Sequence, residues 1–308
     1  MAMLIGIDVG GTNLRVGVVD YAANSIGSKP RILEEMRFHA DFSNLCKSPQ
    51  YTPEQAWQII LATIAEAIGS VRVQYPAISA VGIGFPGFID PETQRISQSP
   101  NLPGLSHVDL STDLSRLIQL PVITENDALA AAYGEYVMSD KALPSLIYLG
   151  LGTGVGGGLI LHGQPFQGQH GVAMEVGHII VKNHGRQCGC GNAGCMEQYA
   201  SASGVAISYF EATNEQCNVQ EIAVRANQCD RAAIAAYELA GTSLAQALAH
   251  ILKVLDVADI VIGGGMSAAL EIDLIPALRG KVHVGISNRG DHAGVIGAAM
   301  LAQQKIER

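Results

Sequence analysis

The chain has 308 residues, 48% of them hydrophobic and only 15% charged, which suits two domains with buried cores and excludes a disordered chain. Its formal net charge of −9, with no clustered lysines or arginines and 5% aromatics, excludes a nucleic-acid partner, which calls for a basic stripe and stacking surfaces. The first residues lack the basic segment and long apolar stretch of a signal peptide, and no apolar run is expected to reach the ~18 residues of a spanning helix. The expectation is a cytoplasmic protein with no membrane partner, whose six cysteines are thiols or metal ligands rather than disulfides.

In chain order, Leu4–Asp8 reads as a buried strand, Val9–Asn13 as a glycine-rich turn and Leu14–Asp20 as a returning strand, so the chain opens on a β-hairpin. A third strand is expected over Arg31–His39 and a loop over Asn44–Thr52. Pro53–Tyr75 carries apolar residues at helical spacing (Ala56, Ile59, Ile60, Ile64, Ala67, Ile68), with Thr52 placed to cap it and Pro53 at the first position. Ile78–Phe85 reads as a strand ending at Pro86-Gly87, Leu110–Leu120 as a helix, Val122–Thr124 as a strand and Asp127–Val137 as an alanine-rich helix. The opening pattern then recurs as strand Ser145–Leu151, turn Gly152–Gly158 and returning strand Leu159–His162, a weak internal repeat that points to two related halves. Helices near Gly204–Ala212, Val219–Asn227 and Arg231–Leu255 follow, then strand Ile260–Ile262 running into Gly263–Gly265, and a last helix His292–Gln304. Strands and helices alternate throughout, which makes the fold class α/β. The domain boundary is placed near Pro121–Asn126, dividing residues 1–124 from 125–291.

Several segments carry chemistry. In Asp8-Val9-Gly10-Gly11-Thr12-Asn13-Leu14-Arg15, side-chain-free backbone lets amides approach phosphate oxygens, the Thr hydroxyl adds a donor, and the Asp suits a hydrated Mg²⁺; an ordinary hairpin turn is the alternative. Gly152, Gly154 and Gly157 form a G-x-G-x-x-G, but Leu159–Gly163 follows where a dinucleotide motif needs a helix, so a returning strand fits better. His178 with Cys188, Cys190 and Cys195 makes a Cys₃His set of the kind that holds structural zinc, with no position left for an activated water. Cys46, Cys217 and Cys229 read as isolated thiols. In Glu125-Asn126-Asp127, at a strand-to-helix junction, the Asp suits a general base with Asn126 bonding a neighbouring oxygen, but taken alone the segment favours Asn126 or Asp127 as a helix N-cap. Glu175 and Glu197 flank the cysteine segment as surface acids or as acceptors for sugar hydroxyls.

In this order, and over nearly the whole chain, these residues resemble the ROK family of repressors, open reading frames and kinases. The resemblance rests on D-x-G-G-T-x-x-R at Asp8–Arg15, Pro86-Gly87, Asn101 in Pro100–Gly104, Asn126-Asp127, Gly152–Gly154, Glu175–His178, Cys188–Glu197 and Gly263–Gly265, the cysteine segment being the most specific. It implies a two-domain actin-like ATPase (ribonuclease H-like) fold with a cleft between the domains and the final helix, about 292–308, packed back on the first domain. It implies ATP, Mg²⁺ and structural Zn²⁺ as cofactors, a small-molecule sugar and MgATP as partners, and a homo-oligomer, with a dimer favoured. Asp8, Gly10, Gly11, Thr12, Asn13, Arg15, Gly152, Thr153 and Gly154 would hold the ATP phosphates, and Gly264 and Gly265 would lie near the nucleoside. Gly87, Asn101, Asn126, Asp127, Glu175, His178 and Glu197 would meet the sugar, with Asp127 as catalytic base and His178 also on zinc with Cys188, Cys190 and Cys195. Repressors of the family carry an added N-terminal helix-turn-helix domain, for which a first strand starting at about residue 3 leaves no room. The resemblance to the glucokinase branch at Glu175–His178 and around Asn101 favours glucose as the acceptor, with N-acetylmannosamine, N-acetylglucosamine and fructose as alternatives, and a non-catalytic sugar-sensing protein as the alternative of another class.

Overall fold

The computed structural model describes residues 2–21, 29–266, 282–290 and 292–307. The first hairpin is β1 (Ala2–Val9) and β2 (Asn13–Tyr21), followed by β3 (Arg31–His39), α1 (Phe42–Lys47), α2 (Pro53–Gln74) and β4 (Ile78–Phe85). A small ribbon of β5 (Phe88–Ile89) and β6 (Ile96–Gln98) precedes α3 (Leu110–Ile118), β7 (Val122–Asn126) and α4 (Asp127–Val137). Next come β8 (Leu146–Leu151), β9 (Val155–Leu161), β10 (Gln164–Pro165), α5 (Glu197–Ala200), α6 (Ala202–Thr213), α7 (Val219–Asn227) and α8 (Arg231–Leu255). Strands β11 (Asp259–Gly263) and β12 (His283–Ile286) and helix α9 (His292–Ile306) complete the described chain.

Two five-stranded sheets have the orders β3-β2-β1-β4-β7 and β10-β9-β8-β11-β12. In the first, β1 runs antiparallel to β2 and parallel to β4, which runs parallel to β7. The inner strands read as nearly continuous apolar runs because both of their faces are covered. Leu4, Ile5, Ile7, Val81, Ile83 and Phe85 are all fully buried.

The chain divides into two compact units, one of Met1–Leu143, Gly158–Ala173 and Asp291–Arg308, the other of Pro144–Gly157 and Met174–Gly290. The boundary read from the sequence at residues 124/125 falls instead inside the first unit, because α4 packs on α9. That packing depends on glycine. A β-carbon at Gly134 would sit 2.0 Å from the Ala293 carbonyl oxygen, and one at Gly297 would sit 1.7 Å from that of Ala130. On its other side α9 presses on the sheet, where β-carbons at Gly6 and Gly82 would meet the carbonyl oxygens of Val295 and Ala298 at 1.9 and 1.8 Å.

Helix α2 begins at a capping box: the Thr52 hydroxyl accepts the Gln55 amide, and Gln55 Oε1 accepts the Thr52 amide. Contrary to the sequence expectation, this helix is long and apolar enough to cross a membrane by length and composition alone. Its apolar face, with Trp57, Ile60, Leu61, Ile64 and Ile68, lies in the core of the first unit, which is the behaviour of a core helix. Two other readings change. The loop expected over Asn44–Thr52 is in part α1, capped by the Asp41 carboxylate on the Asn44 amide. The turn expected over Gly152–Gly158 is shorter, since β9 starts at Val155. Gly157 and Gly158 belong to that strand because backbone crowds them: a β-carbon at Gly157 would meet the Met174 carbonyl oxygen at 2.4 Å, and one at Gly158 that of Ala128 at 2.6 Å.

Candidate functional site

In the first unit, the turn between β1 and β2 is closed by the Gly10 amide on the Asn13 carbonyl at 2.9 Å. Asp8, one residue before the end of β1, is half-buried, with Arg15 Nη1 3.4 Å from its Oδ2, and Thr12 and Asn13 are exposed at the tip. Ser43, on the α1 that sequence reasoning missed, gathers this turn and the Asn101 loop. Its amide donates to the Gly11 carbonyl at 3.1 Å and its hydroxyl to the Asn101 carbonyl at 3.5 Å.

At the junction of β7 and α4, Asn126 is the N-cap of the helix. Asn126 Oδ1 accepts the Leu129 amide at 3.0 Å, and Nδ2 donates to the Gly87 carbonyl at 3.1 Å. Asp127 is therefore the first residue of α4, where the helix macrodipole favours a negative charge. Its Oδ1 accepts the amide of Ala128 at 2.8 Å. Gly84 leaves room for the junction: a β-carbon there would touch Asp127 Cα at 3.4 Å and Ala130 at 3.3 Å. Gly87, Asn126 and Asp127 are thus brought together.

In the second unit, the Gly152–Gly154 turn is held by the start of α5 and α6. The Ala202 amide donates to the Gly152 carbonyl, the Ser203 hydroxyl to the Thr153 carbonyl, and the Val155 amide to Glu197 Oε2, each at 2.9 Å. Glu197, read from the sequence as a sugar acceptor, already carries one backbone amide of the candidate phosphate turn. Gly264 follows β11 at φ +86°, where a β-carbon would meet the Leu151 carbonyl oxygen at 2.2 Å, so a side chain is excluded on both counts. Gly265 has open space beside its Cα.

The ligand atoms of His178, Cys188, Cys190 and Cys195 all lie within 4.8 Å of one another. Cys188 Sγ is 3.5 Å from His178 Nδ1, and the Cys190 and Cys195 sulfurs are 3.6 Å apart. A tetrahedral zinc with bonds of about 2.3 Å to sulfur sets its thiolates about 3.8 Å apart, close to the 3.6 Å between the Cys190 and Cys195 sulfurs, so the donor set suits one ion. The loop is shaped by glycine: Gly191 and Gly194 adopt φ +94° and +86°, and the Gly191 amide closes a turn on the Cys188 carbonyl at 3.0 Å. Burial and the neighbouring thiols push the Cys195 thiol up to about 12, whereas the Asn192 backbone amide lowers that of the exposed Cys190. A bound dication reverses that opposition by favouring all three thiolates. The other ring nitrogen of His178, Nε2, faces Glu175 Oε2 at 3.7 Å, too far for a direct hydrogen bond. Partial desolvation raises the Glu175 carboxyl, opposed by His178 and reinforced by Glu197.

Arg186, which sequence reasoning did not single out, fastens this loop to the helices behind it. It donates to the carbonyls of Gln198 and Gly204 at 2.6 and 3.1 Å, pairs with Glu211 at 2.6 Å and stacks 4.7 Å from the Tyr199 ring centroid. All six cysteines are unbridged.

The chain matches the ROK family over residues 4–305. It is 30% identical to a glucokinase of Thermotoga maritima, over 98% of each chain. It is 32% identical to an N-acetyl-D-glucosamine kinase of Salmonella arizonae, over 97% of this chain and 99% of that one. Among solved structures it is similar to a ROK family glucokinase from Streptomyces griseus in complex with glucose and AMPPNP, with a TM-score of 0.73, 29% identity, and 98% of this chain and 100% of that chain covered.

Proposed function

The chain belongs to the ROK family, and on that premise we propose that it is a sugar kinase that transfers the γ-phosphoryl group of ATP to the primary (6-) hydroxyl of a hexose, glucose before others. Its fold is the actin-like ATPase fold of the solved ROK kinases. The observation that carries the reading is Asp127 at the first turn of α4, with Asn126 capping that helix, in a chain similar from end to end to a glucokinase solved with glucose and an ATP analogue.

Asp127 accepts the proton of the sugar hydroxyl as its oxygen attacks phosphorus. The amides of the Gly10–Thr12 and Gly152–Gly154 turns stabilise charge on the phosphoryl oxygens, and positioning of this kind supplies most of the catalysis in phosphoryl transfer. Mg²⁺, when bound with ATP, supplies neutralisation of that charge, and Asp8 is the carboxylate placed to hold it. Glu175, His178 and Glu197 offer acceptors and a donor for sugar hydroxyls; the 3.7 Å gap between His178 Nε2 and Glu175 leaves both groups able to take a third partner. Zinc on His178, Cys188, Cys190 and Cys195 fixes the tautomer and direction of the His178 ring, a shaping role with no chemical step. ATP as donor implies a cytoplasmic reaction.

The competing acceptors are N-acetylhexosamines, because kinases of N-acetyl-D-glucosamine and of N-acetylmannosamine are as similar to this chain as a glucokinase is. A coupled ADP-release assay with MgATP against hexoses and N-acetylhexosamines separates the two. One sugar should stand well above the rest, and Asp127→Asn should lower its kcat by roughly a hundredfold or more while sugar binding by calorimetry persists. Full turnover in Asp127→Asn would remove the base assignment, and no turnover of any sugar by folded, zinc-replete protein would remove the kinase reading.

A further inference from the structure

Glu125 ends β7 one residue before Asn126, yet its carboxylate has no part in the transfer described above. Its side chain keeps 3% of its exposure. Oε1 accepts the Asn126 backbone amide at 3.0 Å, and Oε2 accepts Gln167 Nε2 at 2.6 Å. Oε2 also lies 3.5 Å from Nζ of Lys305, in the last turn of α9, and that ammonium donates to Gln94 Oε1 at 2.8 Å.

A charge taken out of water persists only when paired and hydrogen-bonded, and an apolar pair of similar volume would avoid that cost altogether. The side chains on Glu125 come from two remote segments, Gln167 from the chain after β10 and Lys305 from the C-terminal helix, and Lys305 is itself held by Gln94 from the turn before β6. What they hold in common is the backbone entering α4. With its amide on Glu125, Nδ2 on Gly87 and Oδ1 on Leu129, Asn126 is fixed at three points, and Asp127 follows it directly into the helix.

We propose that the buried Glu125 and the partly buried Lys305 form a charged brace that positions the Asn126–Asp127 junction, so that both are positioning residues for the proton transfer and the last turn of the C-terminal helix bears on turnover. The proposal rests on the reading of Asp127 as base. An active-site group displaced by a fraction of an ångström loses rate while the substrate's remaining contacts survive. Lys305→Met and the isosteric Glu125→Gln should therefore each lower kcat by about tenfold or more, with sugar KM changed by less than about twofold. The double variant should be no worse than the poorer single one, because both substitutions break the same contact. Additive losses, or folded single variants with wild-type kcat, would overturn the brace; a lowered melting temperature with unchanged kcat would reduce it to a stabilising pair and overturn it equally.

Hydrogen exchange of the peptide covering residues 122–130 gives a readout independent of turnover. The amides of Asn126 and Leu129 should exchange faster in Lys305→Met than in wild type, and unchanged exchange would count against the proposal. Should the wild-type chain phosphorylate no sugar, the kinase reading fails, and this exchange measurement alone decides whether the brace holds the junction.

Discussion

A β-carbon on Gly154 would lie 2.5 Å from Glu197 Oε2, the same oxygen that accepts the Val155 amide. The obstructing atom is the free end of a flexible side chain, so the fold can yield by swinging the carboxylate away. What it loses is one charge-assisted hydrogen bond, of the order of 1–3 kcal/mol, and with it the tether on the proposed phosphate turn. Gly154→Ala should therefore melt within a few degrees of wild type but raise the KM for ATP about tenfold, because the turn's amides lose their fixed direction. Steady-state kinetics with ATP varied at saturating sugar tests this; an unchanged ATP KM would show that the turn does not need Glu197. The same contact explains a limit of residue-level reading. The sequence places a carboxylate just past the last cysteine and suggests an acceptor, but only the fold shows that a backbone amide from 42 positions upstream already occupies one of its oxygens.

At the scale of elements, the helix that closes the chain is held by shape more than by charge. Gly297 sits where any side chain would collide with the Ala130 carbonyl at 1.7 Å, and backbone, unlike the Glu197 carboxylate, has nowhere to swing. Gly297→Ala should gain the usual helix-propensity advantage of alanine over glycine, about 1 kcal/mol, and lose more than it gains by forcing α9 off α4, a net destabilisation of about 2 kcal/mol or more. Thermal unfolding should show a clearly lower midpoint; a raised one would mean that the two helices can separate freely. Most elements were legible because local signals agreed with tertiary burial. Pro53 after Thr52 marks the start of α2 to the residue, and the 3.6-residue apolar spacing carries it to Gln74. The missed elements lacked such signals. Helix α1 has six residues and a single buried side chain, Phe42, and β5, with two residues, is too short to alternate. The start of β9 was misplaced because glycines read locally as a turn, while here they admit the passing backbone of Met174 and Ala128. The site followed the same division. The Cys₃His cluster is written in the spacing of its cysteines, whereas the Glu125–Lys305 contact joins residues that no local pattern relates.

For the whole molecule, the two compact units carry their own cores, and the cysteine cluster belongs to one of them. In that unit Cys195 leads through Met196, whose amide donates to the Ile179 carbonyl at 2.8 Å, to Glu197 and so to Val155, and the segment after it ties Gly152 and Thr153. A metal held by His178, Cys188, Cys190 and Cys195 would thus lie one short covalent step from the groups that hold the candidate phosphate turn. Arg186 fastens the same loop without any metal, through the Gln198 and Gly204 carbonyls and Glu211. Stripping the proposed zinc with a chelator should therefore loosen this region without unfolding it. Hydrogen exchange should quicken over residues 176–197 and, through Glu197, over 152–156, while α6 stays protected by its own hydrogen bonds. The sheet strands β1, β4 and β7 and helix α9, whose packing contains no metal ligand, should keep the protection of the untreated protein. Metal release, followed by a chromogenic chelator, should reach about one zinc per chain as the exchange changes appear. Faster exchange confined to 185–195 would cut the link to the phosphate turn. A uniform rise across both sheets would instead make the metal a requirement of the entire fold, which the separate cores argue against.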